Sequence, residues 1–299
     1  MKGIFYCLFI LIVGMASAQS DTTFWIGGGL TSLTFSQVSL ENWTSGGQQS
    51  VALNGLGSFF ADYKKSRHSW ENSLDIAYGL IRQGGKEVDF TKSDDKINLV
   101  TKYGYRVKNQ SEHWYFSALL DFRTQFARGF APDNPDSLIS KFLAPGYLVV
   151  GLGIDYKPNK VLSFNYIPLT GKVTIVNNDS LSNLGAYGVD PGDKVRAELG
   201  SYFRIKYKDE ILKNINIDSR LELFSNYVEN FGNIDVNWQN TLVMKVNKFI
   251  TANYFVQLIY DDDIKIESES DPTSVSPRIQ FKSVLGIGLT YNFGASRDK

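Results

Sequence analysis

The residues best equipped for chemistry in this chain are full charges set at alternate positions between large apolar side chains. In "KVRAELGSYFRIKY", Arg196, Glu198, Arg204 and Lys206 alternate with Val195, Ala197, Leu199, Phe203, Ile205 and Tyr207. In "HWYFSALLDFRTQF", Asp121 and Arg123 oppose Trp114, Phe116, Ala118, Leu120 and Phe122. Glu71 and Asp75 likewise oppose Trp70, Leu74 and Ile76, and Lys102 and Arg106 oppose Ile97, Leu99, Tyr103 and Tyr105. Arg220 and Glu222 sit in a further run, 213–229. Gathered on one surface, such rows can pair with one another, select an ion by sign, or hold a polar solute through charge-assisted hydrogen bonds. Lys206, Lys245, Lys282, Asp62 and Asp218 fall on the same face, which makes nine positive charges against seven negative ones. A strongly selective pore lines itself with one sign. Near balance therefore predicts cross-strand ion pairs that fill a narrow interior or flank a small polar channel.

Other chemistries find little support. The sequence has two histidines, His68 and His113, each next to a short turn and a tryptophan. Outer-membrane barrels include lipid esterases and phospholipases that work at the outer leaflet. A general base must lie within hydrogen-bond reach of its proton, and these histidines are expected at the opposite rim. They read as rim residues beside Trp70 and Trp114, which suit an interfacial aromatic belt. No catalytic residue is assigned. The single cysteine, Cys7, lies in the N-terminal apolar run, so no metal site and no cofactor are expected. The acidic run "YDDDIKIESESD" (260–271) reads as a solvated loop of like charges.

The elements that must position the charged rows are strands. Strict alternation recurs near 49–63, 68–81, 96–107, 113–126, 144–157, 160–176, 193–207, 213–229, 232–247, 249–263 and 279–293. Alternation over so many segments marks strands with one apolar face. Soluble strands usually run about 5–6 residues, and these are more than twice that. Charges at mid-strand on the polar face fit an inverted barrel, with apolar residues toward lipid and polar ones toward the lumen. Lys+Arg equals Asp+Glu at 31 each, which argues against nucleic acid as a partner. "MKGIFYCLFILIVGMASAQS" has the form of a secretory signal peptide ending at Ala18, which leaves one barrel domain over 19–299. Short and long connections alternate, with a break near 229–232. Bacterial single-chain barrels have even strand numbers, so "FWIGGGLTSLTFSQVSL" (24–40) completes a set of about twelve, kinked or bulged next to Gly27, Gly28 and Gly29. The alternative places 19–47 in the lumen as a plug.

The ending "VLGIGLTYNF" resembles the last strand of Gram-negative outer-membrane proteins, although "GASRDK" follows it. The pair "WIGG" (25–28) and "NWTSGG" (42–47) resembles the signature of a Bacteroidota outer-membrane barrel family of unknown function. That resemblance implies a barrel and brings no activity or site residues. The expectation is an all-β, transmembrane, antiparallel up-and-down barrel of about twelve strands with both termini periplasmic, integral to the outer membrane and in contact with its lipid. Its expected role is a narrow channel or binding barrel for a small polar solute. A structural or partner-binding barrel using loops 129–143, 177–193 and 264–278 is the alternative, and a lipid-modifying enzyme the remote one. Trp43, in "SLENWTSGGQQS", is expected in the outer loop after the first strand, either anchoring in lipid or folded over the lumen mouth.

Overall fold

The computed structural model describes residues 24–40, 48–85, 87–107, 112–131, 134–267 and 275–295. The segment read as a signal peptide and Trp43 lie outside the described residues. Twelve long strands form the wall: β1 (Trp25–Val38), β2 (Ser50–Lys65), β3 (His68–Gln83), β4 (Thr91–Arg106), β5 (Trp114–Thr124), β6 (Gly146–Tyr156), β7 (Leu162–Ile175), β8 (Val195–Leu212), β9 (Ile215–Asn226), β10 (Asp235–Lys245), β11 (Ile250–Tyr260) and β12 (Gln280–Gly294). Each pairs antiparallel with its sequence neighbours, and β12 pairs with β1 to close the barrel. Two short ladders, Gly129–Ala131 with Asn134–Ser140 and Lys265–Glu267 with Val275–Pro277, belong to the long loops. Closure pairs the first strand with the last over Gly28–Thr34 and Gly288–Gly294, the usual way a sheet avoids edge-to-edge aggregation.

One end of the barrel, the turn end, carries short connections such as Ser66–Arg67 and 213–214. The other, the loop end, carries long ones such as 125–145 and 176–194. The connection read as a break in the pattern spans 227–234 in the structure. It looks short in sequence because Tyr227, Val228 and Phe231 continue the apolar rhythm past the end of β9.

Residues 24–38 form a strand and not a plug, and β1 pairs with β2 from Trp25–Tyr63 to Val38–Ser50 with no register shift. The bulge expected beside Gly27–Gly29 is absent. Those glycines serve close approach instead. A Cβ on Gly28 would lie 2.5 Å from the Ala295 carbonyl oxygen, and one on Gly29 would lie 2.4 Å from that of Ser58. A register shift does occur in β7, between Ile167 and Thr170, and there it turns both of those side chains inward.

The outer face is apolar. Phe116, Leu152, Leu169, Leu199, Leu285 and Leu289 all point away from the lumen and are exposed. At the turn end the aromatic residues gather: Trp25 lies 5.2 Å from Tyr63 and 5.6 Å from Trp70, and Trp114 stacks on Tyr156 at 4.4 Å. His68 Nδ1 bonds the Tyr103 hydroxyl and His113 Nδ1 the Lys157 carbonyl oxygen, both in this aromatic rim.

Candidate functional site: the lumen

Successive strand residues point to opposite faces, so the alternation that sets apolar groups outside sets the charged rows inside. Glu71, Asp75, Lys102, Arg106, Asp121, Arg123, Arg196, Glu198, Arg204, Arg220 and Glu222 all lie on the inward face, paired across strands with other inward residues. They do not form one site. They separate into layers along the barrel axis.

The middle layer crosses the lumen. Arg123 on β5 forks onto Asp121 through Nε (2.9 Å) and Nη2 (2.8 Å), and its Nη2 also reaches Glu222 on β9 at 2.5 Å. Arg204 on β8 meets the same two carboxylates at 2.5 and 2.8 Å and donates from Nε to the Tyr202 hydroxyl at 2.8 Å. Asn237 Nδ2 donates to Glu222 at 2.9 Å, and Arg220 donates to Gln239 at 2.8 Å. Asp121 is 1% exposed. Charges so enclosed are stable only when paired and hydrogen-bonded, and here each carboxylate has two guanidinium partners.

Toward the turn end, Lys102 bonds Asp155 at 2.8 Å and lies 3.4 Å from Glu71, while Lys157 contacts both carboxylates. Arg106 sits at the rim and pairs with exposed Glu112. Toward the loop end, Lys172 bonds Asp235 at 2.7 Å and lies 3.4 Å from Glu198 and Asp261. Arg196 bonds Asp263 at 2.8 Å and Glu229 at 3.0 Å. The acidic run is therefore not a solvated loop over its first residues: Asp261 and Asp263 are drawn into this vestibule, and Asp262 accepts from Asn233 at 2.6 Å. Asp155, Lys157, Lys172 and Asp235 were missed by sequence reasoning. All four stood in runs (144–157, 160–176 and 232–247) left without a facing, and Lys157 follows the end of β6.

Sequence reasoning also missed an apolar layer inside the barrel. Val100, Leu119, Ile167, Tyr202 and Phe224 form a buried cluster on the inner faces of β4, β5, β7, β8 and β9, with Val149 of β6 packed against it. Lys172 stands 5.0 Å over the Phe224 ring and so joins this layer to the vestibule. Above it, the loop 176–194 folds as a cap. Val176, Leu181 and Val189 bury against Ala144, and the Tyr187 hydroxyl donates to the Ile139 carbonyl. Burial pushes the Tyr187 phenol up to about 12.

The opposite inner wall is different. β11, β12, β1 and β2 present Thr251, Asn253, Gly286, Gly288, Thr290, Leu30, Ser32, Thr34, Asn54, Leu56 and Ser58. Hydroxyls bridge the strands, Thr251 to Thr290 at 2.7 Å and Thr290 to Ser32 at 3.0 Å. Leu56 faces inward between Ser32 and Ala77 and is still 45% exposed. Among the described residues, charge crosses this side where Lys282 reaches Asp94 at 2.5 Å.

A family model described as "Protein of unknown function (DUF3078)" matches residues 35–130, from the end of β1 through β5. No curated protein matches the sequence. Solved structures similar to this one include an outer membrane channel from Pseudomonas putida F1, 10% identical over 93% of this chain and 98% of that one, with a TM-score of 0.40. The outer membrane phospholipase A of Escherichia coli is 11% identical over 92% and 94%, with a TM-score of 0.37. The toluene transporter TodX of P. putida is 8% identical over 93% and 92%, with a TM-score of 0.30. At such scores the likeness carries no residue role, activity or ligand to this chain.

Proposed function

We propose that this chain is an integral outer-membrane barrel, both termini periplasmic, that admits and binds a small polar solute in a narrow lumen. The observation that carries the reading is the two-sided interior. An ion-pair and apolar layer occludes one half of the cross-section, while inward-facing Leu56, half uncovered among small neutral residues, marks a wet passage beside it. Asn98 stands near the boundary between the halves. It is 1% exposed, and neither atom of its amide has a protein partner, a donor and an acceptor suited to a solute. The apolar exterior, the aromatic rim and the short-turn and long-loop ends support the membrane setting and its polarity. The WIGG and NWTSGG motifs point the same way, to a Bacteroidota outer membrane. No catalytic role is assigned, since both histidines lie in the turn-end rim.

Planar-bilayer conductance tests the reading. The wild-type chain is expected to give small, steady channels, and the Arg123→Ser/Glu222→Ser double variant larger ones. Absence of conductance from both, together with no solute-dependent change in Asn98 environment by NMR, refutes it. The folded cap over 176–194 favours a second reading, a barrel that presents this surface to a partner. A chain that always isolates alone from native membranes counts against that one.

A further inference from the structure

β12 is held unlike any other strand of the wall. It pairs with β11 through Gln280–Leu289 and with β1 through Gly288–Gly294, so only Gly288 and Leu289 are paired on both sides. In β10, by contrast, Val236–Met244 are all paired on both sides. The β1–β12 ladder stops at Thr34–Gly288, yet both strands continue toward the loop end. Continuing the register would pair Phe35 with Ile287, Ser36 with Gly286, Gln37 with Leu285 and Val38 with Val284, and among the described residues no such ladder pair exists. Residues 35–38 are exposed at every position, inward and outward alike. The outward side chains of this stretch, Phe281, Leu285 and Ile287, are 64–68% exposed.

A backbone edge without partners is costly in hydrocarbon, and lipid-exposed irregular backbone is tolerated only where it lines a cavity. This edge does line one. Behind it, on the inward face, lie Ser36, Val38, Ala52 and Asn54 of β1 and β2 and Val284 and Gly286 of β12, with Leu56 and the Thr34 hydroxyl at its lower edge. In front of it lie Phe35, Phe281, Leu285 and Ile287. A path from the bilayer inward thus meets apolar side chains first, then neutral hydroxyls and small residues, with the Lys282–Asp94 pair toward the loop end and Lys96 5.9 Å from the centroid of the inward-facing Phe255 ring. That sequence of surfaces suits one class of molecule, an amphiphile with a single hydrocarbon chain and a neutral or weakly polar head. A free inorganic ion or sugar has no use for the outer part, and a two-chain lipid is poorly matched to a gap on one side of one strand.

We infer that the loop-end half of the β1–β12 seam is a lateral portal through which a single-chain amphiphile passes between the bilayer and the neutral side of the lumen. The hydroxyl bridge Thr251–Thr290–Ser32 closes the seam below it and sets the portal's lower limit. The portal opens onto the same neutral half of the lumen that the solute reading uses, but the seam pairing alone carries it, so probe entry and small-solute conductance can fail separately.

The test uses the full chain in phosphatidylcholine nanodiscs, with a dansylated undecanol, whose hydroxyl head is neutral, as the probe. Cys7 is the one cysteine of the sequence, so Gln37→Cys with Leu285→Cys, in a Cys7→Ser background, supplies a lone pair that zips the seam on oxidation. Saturable dansyl emission above that of empty nanodiscs is expected for the wild type. Oxidation of the pair is expected to slow probe entry at least tenfold, and reduction to restore it. Entry at the wild-type rate after oxidation, or no saturable binding to the wild type, overturns the portal. Hydrogen exchange on the unmodified chain is a separate check that needs no variant. Amides of 35–38 and 284–287 are expected to exchange at least tenfold faster than those of β3, and equal protection overturns the proposal. Loss of small-solute conductance with normal probe entry would count against the solute reading alone.

Discussion

The two inner walls of this barrel solve the same geometric problem with different chemistry. From β4 to β9 the lumen is filled: five apolar side chains form a layer, and Arg123, Arg204, Asp121 and Glu222 tie β5, β8 and β9 together across the interior. From β11 through β12 and β1 to β2 most inward side chains are uncharged, Lys282 and Asp62 being exceptions, hydroxyls bridge the strands, and the closing strand is doubly paired at two residues. A filled wall gains stability from burial and is rigid. A sparse wall leaves space and can yield. Passage through a barrel of about twelve strands, between the side-chain-filled and the open sizes, is expected where filling is incomplete.

The comparison can be broken first at its most charged point. Replacing Glu222 by Leu leaves Arg123, Arg204 and Arg220 with Asp121 as the remaining carboxylate of the layer. Removing one partner of a buried network costs about 3–5 kcal/mol, expected as a lower urea midpoint for barrel unfolding. Little change would show that the layer is hydrated and the filled wall is not filled. The apolar layer gives the next largest contrast. Phe224→Ala, 6% exposed in the parent, should cost about 3–5 kcal/mol. Leu56→Ala on the opposite wall should cost about 1 kcal/mol, since that side chain already sheds little water on folding. Equal losses in the same urea titration would erase the difference between the walls. The hydroxyl bridge is a finer probe. Ser32→Ala removes one hydrogen bond between neutral groups, worth about 1 kcal/mol, and should raise exchange at Gly288–Thr290 without changing the β5 amides. The smallest effect belongs to the cap. The Lys194–Asp179 pair is solvent-exposed, and the Lys194 ammonium holds the Asp179 carboxyl below its ordinary range. Lys194→Ala should return that carboxyl toward the ordinary value in an NMR titration and leave the unfolding midpoint where it was.

Some of this was legible in the residues. The alternation of Arg196, Glu198, Arg204 and Lys206 with Val195, Leu199, Phe203 and Ile205 names a strand and separates its two faces, because side chains alternate by covalent geometry whatever the strand packs against. Alternation alone puts Asp121 and Arg123 on one face of their strand and Glu222 on one face of its own; it was the length of the strands and the signal-peptide pattern that assigned those faces to a lumen. Leu119, Ile167 and Phe224 were not. Leu119 and Phe224 occupy the charged phase of their strands, where an apolar residue looks like noise, and Ile167 is turned inward by a register shift at Pro168–Leu169 that no periodic rule anticipates. The glycines of β1 suggested a bulge when their actual use is close approach to Ala295 and Ser58, residues far away in sequence.

The sequence by itself determined eleven alternating strands, which residues share a face in each, and the alternation of turn and loop ends, all consequences of local periodicity and chain connectivity. Only the tertiary structure decided that 25–38 is a wall strand and not a plug, which carboxylate meets which guanidinium, that the apolar and ion-pair layer joins β4 to β9, and that β12 is spliced to its neighbours through Gly288 and Leu289. Those features depend on inter-strand stagger and on contacts between residues far apart in the chain, such as Ser32 with Thr290, 258 positions away. A period of two repeats identically along every strand, so it carries no record of how far one strand slides past the next.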